Sequence, residues 1–158
     1  MDGKPVLDRR DLLGWLVAGP VLLATPVRAE MLPAMVVFRD PTCGCCHKWV
    51  EHLTANGFAV TVHDAPSMKA IKARLGVPAE LASCHTGEIG GYVIEGHVPA
   101  AAIKRLLAEK PQGRGLAVPG MPIGSPGMEG GAPEIYEVTL FGAGAPQSFG
   151  RFREDKPA

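Results

Sequence analysis

The stretch Met35-Val36-Val37-Phe38-Arg39-Asp40-Pro41-Thr42-Cys43-Gly44-Cys45-Cys46-His47-Lys48-Trp49-Val50 decides how the chain is read. Its first five residues are a short β-branched and apolar run, so they predict a buried strand, and Asp40-Pro41-Thr42 ends it. From about Cys45 to Asn56 the apolar residues fall at Cys46, Trp49, Val50 and Leu53, a helical spacing that Asn56-Gly57 stops. The cysteines therefore sit at the N-terminus of a helix that follows a strand. Unpaired backbone N–H groups at such a terminus lower thiol pKa values, and thiolates are expected there at neutral pH.

Working outward, Phe58, Val60 and Val62 alternate with Ala59, Thr61 and His63 as a second strand, and Ser67 caps a helix carrying Met68, Ile71 and Leu75 up to Gly76. Pro78 opens a short helical turn holding Leu81, and Ser83-Cys84-His85-Thr86 follows. Ile89 to Ile94 and Gly96-His97-Val98 read as a hairpin or strand pair, and Pro99 begins a third helix through Ile103, Leu106 and Leu107. Residues 111–133 are so rich in Gly and Pro that they read as an irregular loop, with the run Gly115 to Met128 outside any regular element. Tyr136 to Phe141 predicts a C-terminal strand, and 150–158 a flexible tail. A right-handed crossover makes the first two strands parallel and delivers Cys43 to the carboxyl edge of the sheet. This order is the thioredoxin-like α/β arrangement: a central mixed sheet flanked by helices, with a long Gly/Pro-rich loop and a C-terminal strand.

The 158 residues make one domain's worth of chain, and 16 Lys+Arg balance 16 Asp+Glu with no basic block. That balance removes the electrostatic footprint of nucleic-acid and anionic-membrane binders. Arg9-Arg10, the apolar run Leu12 to Ala24 and Val27-Arg28-Ala29 resemble a secretory signal peptide over residues 1–29. The run is shorter than the ~20 apolar residues that span a bilayer, so no stable membrane insertion is expected after cleavage. The paired arginines resemble a twin-arginine signal, although Asp8 stands where Ser or Thr is usual. Residues 30–158 are then expected as a single metal-binding domain in the periplasm or otherwise exported.

Cys43-Gly44-Cys45-Cys46 contains C-x-x-C, C-x-C and a vicinal pair at once. A redox enzyme needs only the first, which makes Cys43 and Cys46 the candidate redox residues. A third thiolate suits a soft metal, because Cu(I) favours two or three sulfur ligands and bridging thiolates, whereas Zn(II) takes four in a closed tetrahedron. The bland alternative is three cysteines that pack or form one structural disulfide. Cys84 precedes the third strand, where thioredoxin-like folds face the cysteine loop, so it reads as a fourth thiolate or as a small buried apolar residue. His85 offers an imidazole, or is an exposed loop residue. Met121 is a candidate thioether ligand, with gap-filling as its alternative, and Met128 is a weaker one. His47 is read as pointing outward, His97 as lying at the same end as the site, His52 and His63 as surface residues, and Trp49 as core.

Thr42-Cys43-Gly44-Cys45-Cys46-His47-Lys48-Trp49, Ser83-Cys84-His85-Thr86, Gly91 to Pro99 and Gly115 to Glu129 together resemble the CopG-like copper-resistance family of exported, thioredoxin-like proteins with a C-x-C-C motif. The resemblance implies copper as the bound metal, held as Cu(I) by Cys43, Cys45, Cys46 and Cys84 with His85, in some members as a multinuclear cluster. It also implies a role in Cu(I)/Cu(II) handling, with copper ions and other periplasmic copper-handling proteins as partners. The competing expectations are a thiol-disulfide oxidoreductase acting on protein partners and a zinc or iron–sulfur module. A long structureless stretch in a small domain is commonly a lid or binding loop, so residues 111–133 are expected to fold over the site and bring Met121 to the metal.

Overall fold

Alternation along Met35–Arg39 buries Met35 and Val37 on one face and turns Phe38 to the other, and this run forms strand β1. The structure, a computed structural model, describes residues 31–158; the signal peptide read in residues 1–29 lies outside them. Helix α1 (Gly44–Ala55) returns the chain to β2 (Val60–Asp64), which pairs parallel to β1 with Met35 opposite Val60. Helix α2 (Met68–Leu75) begins at Ser67, whose hydroxyl accepts the Ala70 N–H at 3.3 Å, and ends at the left-handed Gly76. A single 3-10 turn at Ala79–Leu81 leads into the hairpin β3 (Thr86–Ile89) and β4 (Tyr92–Glu95), and helix α3 (Ala100–Glu109) follows Pro99.

The strands β5 (Gly115–Ala117), β6 (Ile135–Phe141), β7 (Gln147–Arg153) and β8 (Lys156–Pro157) complete one mixed sheet of order β2-β1-β3-β4-β5-β6-β7-β8. Trp49 and Leu53 of α1 with Ile103 and Leu106 of α3 pack on one face against Met35, Val37, Ile94, Leu116 and Val138. Ile71 and Leu75 of α2 cover Phe38, Val93, Ala117 and Phe141 on the other. The mixed α/β class with helices on both faces is thus the one expected, and no helix among the described residues is long and apolar enough to cross a membrane.

Two stretches differ from their sequence reading. Gly115–Ala117, expected outside any regular element, is a buried strand that pairs parallel to β4 and antiparallel to β6. Three residues are too few to show a period, and the strand exists because neighbours on both sides take up its backbone groups. Gly115 permits the pairing: a Cβ there would overlap the Val93 carbonyl. The tail expected to be flexible runs through β7 and β8 instead. Its alternation is hidden by a bulge, since Val138 faces Gly150 while Thr139 faces Ser148, leaving Phe149 unopposed. Phe149 and Phe152 therefore both reach the core although they are three apart. The Arg105 guanidinium lies 3.7 Å over the Phe149 ring and donates to the Phe149 carbonyl, fastening β7 to α3.

Phe152 is 2% exposed and stacks on Tyr136. Phe152→Ala is expected to cost about 3–5 kcal/mol, read as a fall in the urea midpoint; an unchanged midpoint would return the segment to a loose tail.

Candidate metal centre

The turn before α1 sets the cysteines. The Asp40 carboxylate accepts the Thr42 N–H at 2.8 Å and the Thr42 hydroxyl at 2.6 Å, and the Cys43 N–H donates to the Asp40 carbonyl at 3.1 Å. Cys43, in an extended conformation, is the N-cap of α1, so Cys45 and Cys46 fall in the first helical turn. Cys43 and Cys46 are joined as a disulfide, whereas Cys45 and Cys84 are free thiols. Cys45 Sγ lies 3.4 Å from Cys43 Sγ and 3.7 Å from Cys84 Sγ. All four sulfurs are within 4.8 Å of one another.

Cys84 also belongs to a second donor group with His85 and His97, again within 4.8 Å. His97 Nδ1 sits 2.8 Å from the Pro126 carbonyl. A carbonyl oxygen only accepts, so the proton of the neutral ring is on Nδ1 and the Nε2 lone pair faces Cys84 Sγ at 3.1 Å. His85 Nδ1 is 3.5 Å from the same sulfur, and its Nε2 is buried without any hydrogen-bond partner, beneath Trp49 with ring centroids 4.2 Å apart. An orphaned buried nitrogen costs about 1–3 kcal/mol; the nitrogen that faces Cys84 is Nδ1, and it is the one placed to ligate a metal held by that sulfur. Burial, then the charges of His97 and Lys72, push the His85 pKa well down; burial lowers His97 against the opposing pull of the Pro126 carbonyl and Glu129. Both rings are thereby kept neutral, the form that ligates metal. Burial and then the neighbouring Cys45 push the Cys84 thiol up to about 11. Off the helix terminus, this sulfur keeps its proton until a cation displaces it.

Glu95 holds the second group in place. Its side chain is fully buried; Oε1 accepts Lys72 Nζ at 2.5 Å and the Ser83 N–H at 2.6 Å, while Oε2 accepts the Thr86 hydroxyl at 2.7 Å. One carboxylate thus brackets the Cys84-His85 dipeptide on both sides. The Gly/Pro loop closes the other flank through the turn Ser125–Met128. A Cβ on Gly127, at φ +91°, would lie 2.6 Å from the Cys45 carbonyl and 3.2 Å from His97 Nδ1, so only glycine lets the loop approach this closely.

The loop meets the site through Pro126 and Gly127, while Met121 is 53% exposed. Met128 is half-buried in the same turn. His47 points outward and pairs with Glu51 at 3.3 Å, and His63 is exposed against Phe38. His52, read as a surface residue, is half-buried, because its Nε2 accepts the otherwise orphaned Ala100 N–H at the start of α3. Trp49 is core, with its indole N–H on the Val98 carbonyl at 2.9 Å. His97, read from the sequence only as lying at the same end as the site, stands beside Cys84 and His85 as a third donor. Its signal was its place directly after the strand that pairs with the one beginning at Thr86.

Four sulfurs and two imidazoles at the carboxyl edge of a mixed sheet define a protein of the soft-metal-binding class. Residues 81–128 match the family described as "Protein of unknown function, DUF411". The solved structure described as "Copper resistance protein copG- Form 2" is 50% identical over 78% of this chain and 99% of its own, with a TM-score of 0.73. "Copper resistance protein copG- Form 1" is 49% identical over 77% and 98%, with a TM-score of 0.72. No curated protein sequence matches. The chain belongs to the CopG copper-resistance family.

Removing the Glu95 carboxylate strands the Lys72 ammonium, which is 12% exposed. Glu95→Ala is expected to lower stability by about 3–5 kcal/mol in urea unfolding, and the double change Lys72→Met with Glu95→Gln to cost less than Glu95→Ala alone. Equal costs would mean that the pair does not act as a unit.

Proposed function

We propose that this chain is an exported, thioredoxin-like copper-binding protein that holds Cu(I) between the thiolates of Cys43, Cys45, Cys46 and Cys84, with His97 and His85 as nitrogen donors beside Cys84. The observation that carries this reading is the convergence of four sulfurs within 4.8 Å, in a chain half-identical to copper-resistance proteins. Thiolates that bridge soft ions allow more than one Cu(I) per chain. The periplasm is the compartment this reading requires, since residues 1–29 read as a signal peptide and disulfides persist there.

The same residues support a redox role. With Cys43 and Cys46 reduced, two Cu(II) ions take one electron each from the two thiolates, which become the disulfide, and two Cu(I) ions result. Cys45 and Cys84 remain as sulfur donors afterwards, so copper need not leave at this stage. The Cys43–Cys46 disulfide at the head of α1 also favours a second reading. In it half-buried Cys43 attacks disulfides of protein partners and buried Cys46 resolves the mixed species.

Anaerobic titration of the reduced protein with Cu(I) against a competing chelator is expected to saturate above one equivalent, with quenching of Trp49, which packs on His85. Replacing Cys43, Cys45 and Cys46 together by Ser is expected to abolish tight binding while far-UV circular dichroism is retained. Saturation at one equivalent or none counts against the multinuclear reading; rapid reduction of a disulfide-bonded model protein, with weak copper binding, would select the oxidoreductase.

A further inference from the structure

We infer that Cys45 and Cys84 are a second dithiol, nested against the first, so that the reduced site delivers four electrons rather than two. The inference rests on the reading above in which cysteine thiolates reduce Cu(II), and extends it to the pair that reading leaves as spectators.

The pairing follows from what the first disulfide leaves over. With Cys43 and Cys46 joined, the C-x-C and vicinal pairings are both unused, and the two remaining thiols face each other at 3.7 Å. A disulfide needs the sulfurs to close by about 1.7 Å from there. Proximity is imposed from both sides. Cys45 is held by α1 and by the close approach of Gly127 to its carbonyl, and Cys84 by the Glu95 carboxylate on the flanking Ser83 N–H and Thr86 hydroxyl. Two thiols pinned by separate elements lose little further freedom on joining.

Cys45 also connects the pairs, because its sulfur lies 3.4 Å from Cys43 Sγ. The Cys45 thiolate attacks Cys43 Sγ; a Cys43–Cys45 bond forms, the Cys43–Cys46 bond breaks, and Cys46 leaves as thiolate and takes up a proton. The Cys84 sulfur, losing its proton, then attacks Cys45 Sγ, which forms the Cys45–Cys84 bond and releases Cys43 as thiolate. The disulfide has moved to Cys45–Cys84 with no net electron change, and Cys43 and Cys46 are again a dithiol. Cu(II) as oxidant reoxidises it. Over the whole sequence four Cu(II) become four Cu(I), four thiols become two disulfides and four protons are released.

The end state differs from the half-oxidised one in its donors. With Cys43–Cys46 closed, two sulfurs and two imidazoles remain for the metal; with Cys45–Cys84 closed as well, only His85 and His97 remain. Imidazoles alone hold Cu(I) more weakly than thiolates, so complete oxidation releases the copper that partial oxidation retains.

The test uses the mature chain, reduced and then freed of reductant, titrated anaerobically and in dilute solution with Cu(II) in the presence of a chromogenic Cu(I) chelator. The parent is expected to plateau at four Cu(I) per chain, twice the plateau of Cys84→Ser and of Cys45→Ser, since one disulfide and two free thiols account for four cysteines. Non-reducing peptide mapping of the exhausted parent, which needs no variant to fold, is expected to find Cys43 linked to Cys46 and Cys45 linked to Cys84. A parent plateau of two, with Cys45 and Cys84 still open to alkylation, overturns the second dithiol and leaves the redox role of the first intact. A plateau of four with Cys84 linked to Cys43 or Cys46 overturns the pairing and the relay. A plateau of zero overturns the Cu(II)-reducing role itself.

Discussion

The buried carboxylate of Glu95 is the constraint on which the candidate site depends. Its two oxygens tie together α2 through Lys72, the loop through the Ser83 N–H and β3 through Thr86. Burying a carboxylate and an ammonium is costly unless every lone pair and proton finds a partner, and here the partners are the backbone and side chain on either side of Cys84-His85. The ion pair thus specifies where the dipeptide lies more than it adds to stability. Two residues further along the chain His97 emerges from β4, so the strand that anchors the loop also supplies the facing imidazole.

Burial then sets the protonation states. Both imidazoles sit in surroundings that disfavour their charged forms, and one has its tautomer dictated by the Pro126 carbonyl. The Cys84 thiol is held protonated for the same reason. A cation entering such a pocket exchanges protons for metal bonds. The Gly/Pro loop encloses the site. Pro126 and Gly127 seal the flank between α1 and His97, while Met121 faces solvent.

Much of this was legible along the chain. The strand–cysteine–helix unit, the Ser67 cap, the parallel first pair and the third helix after Pro99 all rest on local chemistry, namely apolar period, caps and the handedness of crossovers. Cys84 could be placed opposite the cysteine loop because topology brings the start of β3 beside the end of β1. The readings that failed were those in which a partner distant in sequence overrides local texture. Gly115–Ala117 looks like loop and is strand because β4 and β6 flank it; Phe149 and Phe152 look unpatterned because a bulge shifts the period; His52 looks exposed because nothing nearby reveals that α3 needs an acceptor.

The order of residues along the chain sets the chemistry available: three clustered cysteines after a strand, a fourth before another, and enough alternating apolar residues to bring the two strand ends to one edge. How those donors divide depends on packing in three dimensions. Which cysteines are joined, that Cys45 is the one facing Cys84, and that His97 joins the group of Cys84 and His85 are matters of a few ångströms between residues up to 39 positions apart. Periodicity and spacing act along the chain and carry no information at that range. The distances are set where α1, the Glu95-anchored loop and the Gly127 turn pack against one another, and close packing leaves each sulfur and nitrogen one place to lie.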